Sequence, residues 1–197
     1  MVVLRWVMIS LVLKFSAPAH ADFAAGQAAY DRGDFNAAYN EWLPLAEAGD
    51  AEAQFRVGRL YDVGEGRPAD WPKAVKWYEK AFEQGNVKAA FNLALRYEFG
   101  DGVPKNYEKA YVYYRYAAER NFARSQVSLS YFYFTGRAAK KNYSEGFKWL
   151  FIAKNRGAGN TEKIIKEVLE YVPNHHMQQG EILAREWLKN HPRNIDE

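Results

Sequence analysis

Cysteine does not occur among the 197 residues. Its absence excludes disulfide cross-links, thiol nucleophiles, thiolate metal sites and the lipid-bearing cysteine of a bacterial lipoprotein. An excess of one charge sign is missing as well. The 27 bases and 24 acids give a net charge of +3, and Arg5 and Lys14 lie in the first 21 residues, which hold no acid. The rest therefore carries 25 bases against 24 acids, too even a balance to leave an electrostatic footprint for nucleic acid. The apolar stretch Trp6 to Leu13 is far short of the ~20 residues that span a bilayer. Catalytic signatures are lacking too: there is no GxSxG elbow, SxxK, HExxH or P-loop spacing. Histidine is scarce, and its only cluster is His175-His176. Adjacent side chains on a helix point apart, whereas metal-binding pairs sit at i, i+4. These histidines read as surface residues, and the sequence predicts no metal and no cofactor. Paired carboxylates occur only as acids alternating with lysine (Lys76, Glu79, Lys80, Glu83), the pattern of a solvated helix face.

What is present is apolar and periodic. Hydrophobic residues make up 48% of the chain and aromatics 16%, enough for a real core and against disorder. Met1 to Ala21 reads as a secretory leader: Arg5 is its positive end, Trp6 to Leu13 its apolar run, and Ala19-His20-Ala21 its small-residue cleavage motif. Cleavage after Ala21 would place the mature chain in the periplasm or outside the cell, with no lasting membrane anchor. The alternative is an uncleaved amphipathic N-terminus.

From residue 50 the chain repeats without gaps every 36 residues, giving units at 50–85, 86–121 and 122–157. Ala74, Ala110 and Gly146 share a column, as do Trp77, Tyr113 and Trp149, and Ala81, Ala117 and Ala153. A fixed period of this length marks stacked helix pairs. In the central unit Ala90, Leu93, Ala94 and Tyr97 have the spacing of one helix face. Gly100 and Gly102 end that helix and supply the positive φ angles of a sharp reversal. Asp70, Asn106 and Asn142 can cap the second helices, and Glu145 gives the last a capping-box spacing. Gly85, Asn121 and Gly157 close the three units in left-handed conformation. In the third unit Gly136-Arg137-Ala138-Ala139 lacks the second turn glycine, which predicts a looser turn.

Residues 22–49 form an irregular opening unit, with Asp34 capping a helix that carries Ala38, Trp42 and Leu45; Pro44 should kink or loosen its last turn. Residues 158–197 read as capping helices arranged as one more pair. Ile164, Val168 and Tyr171 form the first face, and Gly180, Leu183, Ala184 and Trp187 form the second.

With these columns the chain resembles the Sel1-like repeat family, relatives of the tetratricopeptide repeats. The matching residues are Ala53, Val57, Gly58 and Tyr61, the turn pairs Gly64/Gly66 and Gly100/Gly102, then Asp70, Lys73, Ala74, Trp77, Ala81 and Gly85. The resemblance implies an all-α, right-handed superhelical solenoid whose first helices line a concave groove that binds protein. Residues on first helices that fall off the buried face are then the candidate contacts: Arg56, Arg59, Asn92, Arg96, Ser128 and Tyr131. Arginine and tyrosine are common interface hot spots. Arg96 stands where the other units have Leu60 and Phe132, an apolar rule broken without visible compensation.

The aromatic runs Tyr111–Tyr116 and Tyr131–Phe134 fall mostly in core columns. Tyr116 and Phe134, opposite Lys80 and Asp62 of the first unit, are expected to form an exposed patch. The leading expectation is a non-catalytic exported adaptor that holds a protein or peptide. Two alternatives come from the resemblance. One is a structural part of a cell-envelope machine such as a flagellar motor or secretion complex. The other is a β-lactam-binding or -hydrolysing protein, against which stands the lack of the cysteine pairs and of any serine motif.

Overall fold

A computed structural model describes residues 21–192. The leader, apart from Ala21, lies outside the described residues. Ten helices are described: α1 (Phe23–Asp31), α2 (Phe35–Glu47), α3 (Ala51–Val63), α4 (Trp71–Glu83), α5 (Val87–Phe99), α6 (Tyr107–Glu119), α7 (Ala123–Thr135), α8 (Tyr143–Asn155), α9 (Thr161–Leu169) and α10 (Asn174–Asn190). Among the described residues there is no strand. The six helices α3 to α8 all have 13 residues. The chain forms an all-α solenoid in which α3 pairs with α4, α5 with α6 and α7 with α8, and each pair leans on the next.

Local chemistry sets these lengths. Asp50, Asn86, Asp70, Asn106 and Asn142 each accept, on the side chain, the backbone N–H three residues on, satisfying a donor the helix start leaves free. At the other end Gly64, Gly100 and Gly136 cap α3, α5 and α7 in left-handed conformation. Each turn is then tied back by the same bond: the N–H of Asp70, Asn106 or Asn142 donates to the carbonyl of Tyr61, Tyr97 or Tyr133 at 2.8, 2.8 and 3.0 Å. That bond uses the donor a capping box would need, so the Glu145 carboxylate pairs with Lys148 at 3.2 Å instead. The third turn is not loosened. Ala138 holds the place of Gly66 and Gly102 with φ 54° against their 72° and 79°, a conformation that strains an alanine by ~1–2 kcal/mol.

The core runs the length of the array. Ala53, Val57, Leu60, Tyr78, Leu93, Tyr114, Phe132 and Leu150 are buried, as are the alanines of the 74/110 and 81/117/153 columns. Small residues let the helices meet: a Cβ on Gly58 would lie 2.9 Å from the Tyr78 ring. Trp77 and Tyr113 are only half-buried at the edge of this core.

The ends depart from expectation. Residues 22–49 hold two helices closed over the fully buried Trp42, whose indole N–H donates to the Phe23 carbonyl at 3.2 Å. α2 continues through Pro44 to Glu47. At the far end α10 packs along α8 instead of returning against α9. Gly180 permits that approach, since a Cβ there would come 2.8 Å from the Ser144 carbonyl oxygen. α9 buries Ile164 and Val168, but Tyr171 lies beyond its end and is 68% exposed; Val172 is buried in its stead. Phe134 is buried against Phe147, with ring centroids 5.2 Å apart. It therefore forms no exposed patch with Tyr116, which packs on Phe82 at 4.9 Å.

Candidate functional site

The first helices α3 and α5 and the start of α7 line a groove of about 690 Å³. Their spacing across it follows from the stacking: equivalent positions on successive first helices stand side by side. Arg56, Arg59 and Asn92 line this groove. Arg56 donates to Glu52 at 2.9 Å, and its guanidinium lies 5.6 Å from the Trp42 ring. Arg59 donates to the Tyr30 hydroxyl at 2.6 Å. That hydroxyl donates in turn to Glu65 at 2.8 Å. Burial raises the Tyr30 pKa, the bond to Glu65 raises it further, and the Arg59 charge opposes both.

The other three candidates lie elsewhere. Arg96 is not in the groove wall. Its side chain, 15% exposed, reaches Asp62 of the preceding unit at 3.4 Å and Asp101 of its own unit at 3.2 Å. The broken apolar rule thus has a compensation after all. Asp62 also accepts from the Tyr78 hydroxyl at 3.1 Å. Burial raises the Asp62 pKa, opposed by the Arg96 charge and the Tyr78 hydrogen bond. The next unit repeats the theme, with Tyr114 donating to Glu98 at 2.8 Å and Arg137 3.6 Å from the same carboxylate. Ser128 is half-buried, its hydroxyl interacting with Tyr114. Tyr131 is 45% exposed and lines a second depression, of about 350 Å³, between α7 and α9 with Val127 and Lys163.

Several groove residues escaped the sequence reading: Phe55, Lys88, Phe91, Phe122 and Arg124. Two columns carried the signal. Asp50 and Asn86 cap their helices, but the third residue of that column is Phe122, and α7 has no side-chain cap. The Phe122 ring packs on Phe91 at 5.2 Å, tilted by 51°. Glu52, Lys88 and Arg124 form the other column, which changes from acid to base along the array.

His175 and His176 are not splayed apart, since their ring centroids lie 4.1 Å from each other. Among the described residues, however, no three histidines or acids gather closely enough to hold a metal ion. Nor is any described helix long and apolar enough to cross a membrane.

A model described as the Sel1 repeat matches residues 51–86, 87–122 and 123–157. Among solved structures, a Sel1 repeat protein from Oxalobacter formigenes is 31% identical, with a TM-score of 0.71 over 84% of this chain and 70% of that one. A protective antigen of uropathogenic Escherichia coli with an SLR fold is 26% identical, with a TM-score of 0.76 over 85% of this chain. This chain spans only 37% of that antigen's length. The cysteine-rich protein B of Helicobacter pylori shares the fold at 20% identity, with a TM-score of 0.51 over 71% of this chain and 93% of that one. No curated protein matches the sequence significantly.

Proposed function

The chain belongs to the Sel1 repeat family, and from that premise we propose that it is a non-catalytic, exported scaffold that holds a segment of another protein across α3, α5 and α7. The observation that supports this is the groove itself. Arg56, Arg59, Asn92, Lys88 and Arg124 meet Phe91 and Phe122 in one depression. Cations and aromatics in a shared pocket have the composition of a binding hot spot. Stacked units supply the rigidity: the walls are held by inter-unit packing, so a partner need not organise them before it binds. Export rests on the leader features of Met1 to Ala21.

A photo-crosslinking residue at Asn92 tests the groove against one at Lys76, which is exposed on α4. The Asn92 position should form a discrete adduct with a polypeptide in intact cells, and the Lys76 position should not. Adducts at Lys76 alone would place the working surface elsewhere. N-terminal sequencing of the cell-fractionated protein should begin at Asp22 if the leader is removed.

A further inference from the structure

The charges in the groove say what kind of segment fits it. We propose that the occupant is a short acidic peptide segment that sets carboxylates against Arg59 and Arg124 and an apolar side chain on Phe91 and Phe122. The inference rests on the groove being the partner site.

Four cations line the groove with one acid, Asp62, and the cations are not equally engaged. Arg56 and Lys88 share the one carboxylate of Glu52, at 2.9 and 3.8 Å. Asp62 is committed to Arg96 and Tyr78. Arg59 donates to the neutral Tyr30 phenol and its charge is felt by Asp62, but it makes no ion pair among the described residues; Arg124 is exposed and makes none either. Two positive charges are therefore left over in one depression of a protein whose described body is close to neutral. Such a local excess selects for an anionic partner by complementarity, steering its approach and rejecting cationic competitors.

The phenylalanines decide between a peptide and a larger polyanion. Binding of single-stranded nucleic acid uses exposed aromatic faces on which successive bases stack. Phe91 and Phe122 instead pack on each other at a 51° tilt, which makes an apolar floor between cations and not a pair of parallel platforms. Phe122 also stands where a helix cap belongs, so α7 forgoes a capping bond to keep an aromatic ring at this spot. An apolar side chain flanked by carboxylates matches both features.

The test uses the chain from Asp22 onward and three fluorescent peptides of equal length, each with a central phenylalanine flanked by glutamates, glutamines or lysines. Anisotropy titration should find the glutamate peptide bound about tenfold or more tightly than the lysine peptide, a difference of ~1.4 kcal/mol, and weakened by added salt. Arg124→Gln, at an exposed position without a partner, should remove most of that preference while leaving circular dichroism unchanged. Equal binding of all three peptides would overturn the charge inference and leave the groove reading intact. If none binds while the Asn92 crosslink still forms, the acidic-peptide assignment fails and the groove stands. Loss of both would sink both. A single-stranded oligonucleotide that competes for Arg124 as strongly as the glutamate peptide would also overturn it.

Discussion

Gly146 on α8 lies in the column of Ala74 and Ala110, yet a methyl group added there would run into the Phe134 ring. In the column of Phe134 the other two units carry Asp62 and Glu98. Glycine at 146 and phenylalanine at 134 therefore belong together, and their coupling can be measured. In a helix interior, glycine to alanine favours folding by about 1 kcal/mol. Forcing a methyl into a filled site costs about 1–3 kcal/mol. Gly146→Ala alone should thus lower stability, by up to about 2 kcal/mol. Phe134 is 6% exposed, so Phe134→Ala alone should cost about 3–5 kcal/mol. With the ring gone the obstacle is gone, and Gly146→Ala should raise stability by about 1 kcal/mol. The sign of one substitution thus reverses with its background. Urea unfolding of the four proteins, followed by far-ultraviolet circular dichroism, reads the cycle. A coupling of about 1–3 kcal/mol is expected. If Gly146→Ala stabilises both backgrounds alike, the steric account is wrong.

Three further expectations follow from the same structure. Ala138→Gly should relieve the left-handed strain in the third turn and raise the urea midpoint, by an amount equivalent to about 1 kcal/mol; a lower midpoint would show that the Ala138 methyl packs more usefully than its φ costs. Phe122→Asn should restore the cap at α7, visible as slower hydrogen exchange at the Ser125 amide, and should weaken the glutamate peptide about tenfold. Asp62 has a raised pKa in the folded state, so it keeps its proton at pH values where the unfolded chain has released it. Its contribution to stability therefore grows as pH falls through the folded pKa and shrinks as pH rises. As pH falls from 7 toward the unfolded carboxylate range near about 4, the melting temperature of the wild type should gain on that of Asp62→Asn; the opposite trend would mean that Arg96 outweighs burial.

The helices and their buried faces were legible because one period governs both. Ala90, Leu93, Ala94 and Tyr97 could be placed on one face from spacing alone, and the caps at Asp70, Asn106 and Asn142 from residue type. Part of the candidate groove was legible for a related reason: Arg56, Arg59 and Asn92 are polar residues off a known apolar face. Phe91 was not, since an aromatic residue at helical spacing reads as core whether or not it fronts a groove, and Phe122 was not, since it stands at a cap position ahead of its helix. Arg96 misled because columns compare equivalent residues, whereas its partner Asp62 belongs to the preceding unit and meets it only through stacking. The docking of α10 on α8 was hidden for the same kind of reason. Hydrophobic spacing tells which side of a helix is buried, not against what.

Phe122 has one more effect. A surface assembled from like units offers a bound chain the same foothold at every step, so the chain could settle one step up or down at little penalty. Asp50, Asn86 and Phe122 make the third foothold unlike the first two. A ligand that seeks the aromatic ring has one alignment in which its remaining side chains find their places, and reversing its direction loses them. An exchange at a helix start thus adds, to a ladder whose charges already change along it, a mark at one end.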